Sequence, residues 1–415
     1  MMKKTDVIVI GSGFAGLISA ITAAKNGKEV LLMSYGAGTL TIGGGIIDVL
    51  GYGDNGNPLA APDAGLDLVD GAHPYKKVGS LAIAEAIAFF KQIAEEQGYP
   101  YVGTLNKMQW IPTATGTLKP TCLVPATMDP SSIAEAQDIM VVGFDYLKDF
   151  YPQLVAKNLD KILNLPNKIS TAIVKLPFSE GRDVTNLDVA RWLDNEEGRK
   201  EFIKQLKRAV KPGITIILPP VLGTMPDYTV LESLEKELKC SFVEAAGMPP
   251  SITGLRLQKM LISYAKKIGV TIIEKAAINR AIIENGKCIA VETKGLDRVR
   301  TYSAESYILA TGGFYGGGLI AEPGRVVEPI FNLPVEAPDQ QEKWSNEVLF
   351  SNQKQPFAQI GINVNSSMQP LNKEGEVVLK NVAVAGRNLS GYDYCFEKSG
   401  NGVALASAYC AAMSL

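Results

Sequence analysis

The sequence predicts an α/β protein with two domains, one built on a parallel sheet from separated segments and one an inserted α+β domain. Three observations predict it. VIVIGSGFAGLISA (residues 7–20) runs from a strand through a glycine loop into a small-residue helix. The same apolar and glycine texture returns after Ser251. Between them lies a stretch rich in proline and in helical periodicity.

Residues 5–10 form a short continuous apolar run, as a strand buried on both faces of a parallel sheet would. A helix is expected from about Ala15 to Asn26, punctuated by Gly27, then a strand over Glu29–Ser34. Gly11, Gly13 and Gly16 fit G-x-G-x-x-G between strand and helix, the setting of a Rossmann-like dinucleotide site. The first glycine permits the tight turn, the second a close approach of backbone to pyrophosphate, the third close packing of helix on strand. Phe14 and Ala15 complete the loop. An acidic residue that would bind ribose is missing after the second strand, where Ser34 and Tyr35 stand. A hydroxyl holds ribose more weakly than a carboxylate, which leaves a dinucleotide and a shorter cofactor both open.

Further along, TIGGGI places Gly43, Gly44 and Gly45 in a bare-backbone loop. Helices are expected near 80–97 and 185–210, then one ending at Ile268–Gly269. A meander comes next, from Val270 to Lys294, with a hairpin turn at Asn285–Gly286 and Ile278 as a candidate cofactor contact. YILATGG (307–313) and VAVAG (382–386) read as further strands, and GNGVALASAYCAA as a glycine-opened terminal helix. The expected boundaries are 1–72, 251–322 and 375–415 for the cofactor domain, with 73–250 and 323–374 for the second.

Composition narrows the function classes. A net charge of −2 gives no basic face for nucleic acid. Five cysteines without a C-x-x-C pair offer no iron–sulfur or zinc frame, so each is expected as a small buried thiol in a reducing cytoplasm. No apolar run reaches the length of a membrane span, so membrane attachment would go through a partner. Met-Met-Lys-Lys resembles the charged start of a signal peptide, but Asp6 and the glycine loop interrupt the apolar stretch after it.

The glycine loop, YILATGG and GNGVALA, in this order, resemble the two-dinucleotide-binding-domain flavoproteins of the fumarate-reductase branch. That resemblance implies that Ala310, Thr311 and Gly312 pass close to the cofactor. It also implies that Asn401, Gly402, Val403 and Ala404 aim a helix dipole at the flavin, stabilising its reduced form. AHPYKKVG (72–79), PTATGTLKPTCLVP (112–125), RDVTNLDVARWLD (182–194), ILPPVLG (217–223), PPSITGLRLQKML (249–261) and AGRNLSGYD (385–393) are similar to the B subunit of anaerobic glycerol-3-phosphate dehydrogenase. Membership there implies a non-covalent flavin, often described as FMN, although a pyrophosphate loop suits FAD. It implies a second flavoprotein, the A subunit, and an iron–sulfur subunit leading to membrane quinone. It further implies oxidation of sn-glycerol 3-phosphate to dihydroxyacetone phosphate, chiefly on the A subunit. Gly386, Arg387, Tyr392 and Asp393 fall near the flavin by the same resemblance, which also implies that Gly43, Gly44 and Gly45 face its ring.

For substrate chemistry, His73, the single histidine, is a candidate base or a loop cap. Lys119 and Arg256 are candidate phosphate anchors or structural charges. Two other functions remain open: a stand-alone flavin reductase or dehydrogenase, and a non-catalytic relay or assembly subunit.

Overall fold

The computed structural model describes residues 5–164, 168–294, 299–348 and 353–415; the first four residues, with the charged start, lie outside it. The chain divides into two compact units, 1–39 with 47–93 and 261–415, and 40–46 with 94–260.

In the first unit the described residues form a five-stranded sheet in the spatial order Thr271–Ile273, Val30–Met33, Thr5–Ile10, Ala304–Leu309, Val382–Val384. Every neighbouring pair is parallel. The first strand sits in the middle and is buried along nearly its whole length, which is why it reads as a continuous apolar run. The helix Phe14–Lys25 leaves it through the glycine loop, close to its expected span, and is buried from Phe14 through Ala23. Small residues on this helix and on the terminal helix Gly400–Met413 let the two pack closely, and Ser19 Oγ donates to Ala408 O across them. The meander appears as three antiparallel strands, Ile278–Glu284, Lys287–Lys294 and Val299–Tyr302, and turns at Asn285 (φ 50°) and Gly286 (φ 70°), both in the left-handed region.

The division differs from the expected boundaries in four places. Residues 40–46 and 251–260, expected in the cofactor domain, fall in the second unit. Residues 73–93 belong with the cofactor unit: the Phe90 ring meets Phe14 edge-on at 5.9 Å. Residues 323–374 do so too, since Phe331 packs on Tyr307 and Met368 O accepts from Val384 N. Proline-rich texture marks irregular backbone, and it does not report which core that backbone covers.

The second unit has a parallel sheet of its own. Its order is Ser241–Glu244, Thr215–Leu218, Ile139–Phe144, Ser170–Val174, joined by helices, with two small antiparallel ribbons beside it. The expected helix over 185–210 is two helices, Asn186–Asp194 and Glu196–Leu206, with Asn195 extended between them. Thr185 and Asp188 make a reciprocal capping box that starts the first. The corner is tight enough that a Cβ on Gly198 would lie 2.0 Å from Trp192 O.

Cys122, Cys240 and Cys288 are buried as expected, and burial pushes Cys240 up to about 12 and Cys288 up to about 11. Cys395 is a correction: it is exposed. Exposure outweighs thiol acidity for a bulky reagent, so a disulfide dye added to native protein should label Cys395 first. Peptide mapping of the labelled product checks this; Cys240 or Cys288 appearing before Cys395 would contradict their burial.

Candidate functional site

The glycine loop leaves a row of donors. Gly11 (φ 109°) donates its N–H to Met33 O, tying the turn to the second strand. From Ser12 to Gly16 no backbone N–H has a hydrogen-bond partner among the described residues. Gly13 caps the helix without a side chain, and a Cβ built on it would meet nothing within 4 Å. A Cβ on Gly11 would lie 2.3 Å from Ala310 O, and one on Gly16 only 1.8 Å from Gly11 O. The glycines therefore separate by role: Gly11 and Gly16 are required by the protein's own packing, whereas Gly13 opens onto free space. Unpaired N–H groups at a helix N-terminus facing such space match a pyrophosphate in charge and in hydrogen bonding, so the loop fits the dinucleotide.

Residues far apart in sequence meet this loop. Ala310 N donates to Ile10 O at 2.9 Å, and Ala385 N to Leu309 O at 2.9 Å, so the ends of three strands lie side by side. Gly386 (φ 73°) fits because its missing Cβ would stand 2.8 Å from Ala15 Cβ and 4.0 Å from Ala404 Cβ. Sequence reasoning missed the polar links between these segments. Ser407 Oγ accepts from Gly386 N at 3.0 Å and donates to Val403 O at 2.5 Å. Asn388 bridges the ATGG turn, donating to Thr311 Oγ1 at 2.8 Å and accepting from Gly313 N at 2.5 Å. Asn388 is fully buried, and the available sequence signal was a polar amide directly after the apolar strand VAVAG and Arg387.

Other sequence candidates stand differently. Ser34 is buried, and its backbone holds the edge strand through Ile273 O and Ala276 N, whereas Tyr35 is 78% exposed. Ile278 is half-buried at the start of the meander. The terminal helix does begin where expected, at Gly400. Of its first turn, however, Gly402 N donates to Asp48 O and Val403 N to Ser399 O, so these two donors are not available to a ligand. Gly402 is required for another reason, since a Cβ there would lie 2.3 Å from the Tyr75 hydroxyl. Gly43, Gly44 and Gly45 lie in the second unit and dock on the start of the helix Ile252–Lys267. There Thr253 Oγ1 donates to Gly44 O, Tyr101 Oη donates to Gly45 O, and a Cβ on Gly254 would strike Leu40 O at 2.0 Å.

His73 is fully buried and caps the short helix Pro74–Val78, its Nδ1 accepting from Tyr75 N at 3.0 Å. The proton therefore sits on Nε2, which donates to Glu397 Oε1 at 2.9 Å. The same oxygen accepts from Ser399 Oγ at 2.6 Å, and Lys354 Nζ lies 3.5 Å from Oε2. Both imidazole nitrogens are engaged in holding the chain, which is the capping alternative. Asparagine keeps a capping oxygen, so His73→Asn should cost about 1 kcal/mol and His73→Leu about 3, because leucine leaves Tyr75 N and Glu397 unsatisfied. Denaturant unfolding of both variants measures this; equal losses would remove the cap from the account.

Arg256 lies 0% exposed in the second unit. Its guanidinium makes a two-pronged pair with Glu244, Nη1 to Oε2 at 2.7 Å and Nη2 to Oε1 at 2.9 Å, while Nε donates to Gly223 O at 2.8 Å and Nη1 reaches Thr127 Oγ1 at 3.4 Å. Glu244 Oε1 also accepts from Leu222 N. An arginine so enclosed fits the structural-charge alternative, its guanidinium being taken up by Glu244, Gly223 O and Thr127. Lys119 is half-buried on the hairpin Gln109–Pro112 and Leu118–Thr121, opposite Ile111. Asp393 caps the helix Tyr394–Glu397 through Cys395 N and Phe396 N, and its other oxygen accepts from Gln355 N. Tyr392 is buried with its hydroxyl 3.4 Å from Gly386 O. Among the described residues no cluster of metal ligands occurs, and no helix is long and apolar enough to cross a membrane.

Sequence comparison agrees with the loop. The FAD binding domain family matches residues 6–403. The B subunit of anaerobic glycerol-3-phosphate dehydrogenase from Vibrio cholerae serotype O1 is 31% identical over 420 residues, covering 98% of this chain and 95% of its own. The probable B subunit of the same enzyme from Halobacterium salinarum is 31% identical over 425 residues, covering 99% and 97%. A solved 3-ketosteroid Δ1-dehydrogenase from Sterolibacterium denitrificans aligns over 99% of both chains at 11% identity with a TM-score of 0.46, a likeness too loose to bear on chemistry. The chain belongs to the FAD-binding flavoproteins of the anaerobic glycerol-3-phosphate dehydrogenase B-subunit family, and its cofactor is FAD.

Proposed function

We propose that this chain is the electron-relaying flavoprotein of an assembly that oxidises sn-glycerol 3-phosphate to dihydroxyacetone phosphate. Electrons would pass through it to an iron–sulfur subunit and on to membrane quinone. The observation that carries the reading is the full-length match to the B subunits of two distant organisms, together with a phosphate loop whose donors are unpaired. Bound FAD supplies the one- and two-electron redox chemistry such a relay needs. The chain's own residues would hold its pyrophosphate on the N–H groups of Ser12 to Gly16, and keep that loop in shape through Gly11, Ala310 and Gly386.

The relay reading is favoured over substrate oxidation on this chain by the residues nominated for that step. His73 has both ring nitrogens engaged, and Arg256 is closed off by Glu244. Neither is arranged to take a hydroxyl proton or grip a phosphate, and Lys119 alone does not make an alcohol-oxidising site.

The test is an anaerobic absorbance titration of the purified FAD-loaded chain with sn-glycerol 3-phosphate. The flavin bands are expected to stay oxidised until a second flavoprotein subunit is added. Bleaching by substrate with this chain alone would place substrate oxidation here and overturn the relay reading.

A further inference from the structure

A second binding feature lies in the first unit, beyond the ATGG turn. A cavity of about 310 Å³ opens there, within the size range of small-ligand sites. Its walls are aromatic, among them Tyr315, Trp344, Phe357 and Tyr394, and one cation, Arg387, faces it. The Arg387 guanidinium lies 4.5 Å from the centroid of the Tyr394 ring and 5.8 Å from that of Tyr315. Among the described residues it has no carboxylate partner and no side-chain hydrogen bond. Stacking on two rings fixes the plane of a guanidinium while leaving its N–H edge free for an oxygen acceptor.

The walls are held from behind. Trp344 donates its indole N–H to Pro338 O at 2.8 Å, Asn388 clamps the Thr311–Gly313 turn, and Asp393 ties Gln355 N to the helix that carries Tyr394. Aromatic walls of which Trp344 and the Tyr394 helix are held in place recognise a flat ring, and an arginine without a carboxylate partner recognises an anionic or carbonyl oxygen.

We propose that this cavity is a binding site for a planar aromatic molecule of one or two rings bearing an acidic or carbonyl oxygen, separate from the phosphate loop. Arg387, which the family resemblance places near the flavin, is assigned here to that oxygen.

The experiment uses the FAD-loaded chain and isothermal titration with 2-naphthoate, with octanoate as an aliphatic anion of matched charge. Expected is saturable one-to-one binding of 2-naphthoate, at least about tenfold tighter than octanoate, with quenching of Trp344 fluorescence that is lost in Trp344→Phe. Arg387→Gln should weaken binding about tenfold. Ala358→Trp, which fills the cavity from a lining position, should abolish binding while FAD content stays unchanged. Should Ala358→Trp fail to fold, Phe357→Ala replaces it and should weaken 2-naphthoate more than octanoate. No saturable binding to the loaded chain would overturn the proposal, as would equal binding by octanoate or by the filled variant. Binding seen only after FAD removal would also overturn it, because the cavity would then belong to the cofactor. None of these outcomes depends on whether sn-glycerol 3-phosphate reduces the flavin.

Discussion

Gly13→Asp is expected to yield a folded chain that has lost FAD. The position has extended backbone (φ −70°, ψ −175°), which any residue adopts, and a Cβ there meets nothing within 4 Å. Aspartate is a favourable N-cap, and its charge suits the helix dipole, so the FAD-free protein should gain about 0.5–1 kcal/mol. The same carboxylate takes the place of the pyrophosphate on the loop donors and repels it. FAD affinity should fall at least about a hundredfold, roughly 2.7 kcal/mol. Gly16→Ala makes the contrast, because its methyl would sit 1.8 Å from Gly11 O and should destabilise the protein with or without cofactor. Thermal melts of the FAD-free and FAD-loaded forms separate the two effects. A Gly13→Asp chain that still binds FAD with near-native affinity would show that the pyrophosphate lies elsewhere.

The other large effect is expected in the second unit, at the Arg256–Glu244 pair. Both side chains are 0% exposed, so removing one leaves the other's charge buried without compensation. Arg256→Met or Glu244→Gln should each cost about 3–5 kcal/mol. The double variant Arg256→Met, Glu244→Leu should recover most of that loss, because two apolar residues leave no charge behind, although Gly223 O and Leu222 N lose their partners. Urea unfolding of the three variants checks it. If the double variant were as unstable as the sum of the singles, the two side chains would contribute independently and the uncompensated charge would not be the source of the loss. If Arg256→Met left stability intact and raised the Michaelis constant for a phosphorylated substrate, the phosphate-anchor role would return.

The cofactor loop was legible because its chemistry is local. A buried strand, a tight turn and a helix N-terminus are neighbours in sequence, and each imposes its own composition on VIVIGSGFAG. YILATGG and VAVAG were likewise readable as strands, since apolar continuity reports burial in a parallel sheet. The roles of His73 and Arg256 were not legible. A lone histidine and an arginine in a helix carry the same letters whether they act on a substrate or satisfy Glu397 and Glu244, which lie 324 and 12 residues away. Gly43 to Gly45 gave a similar ambiguity. Three bare glycines signal a close backbone approach, and the partner turned out to be the start of the helix Ile252–Lys267.

By itself, then, the sequence determined an α/β protein with a dinucleotide loop at its first strand, because hydrophobic period and glycine spacing are set within a few residues of chain. Tertiary structure decided which charges are structural, which glycines face solvent and which face protein, and that Arg387 lies unpaired against Tyr394. Those facts depend on the partner each side chain meets after folding, whether it lies 324 residues away, as Glu397 does from His73, or 12, as Glu244 does from Arg256.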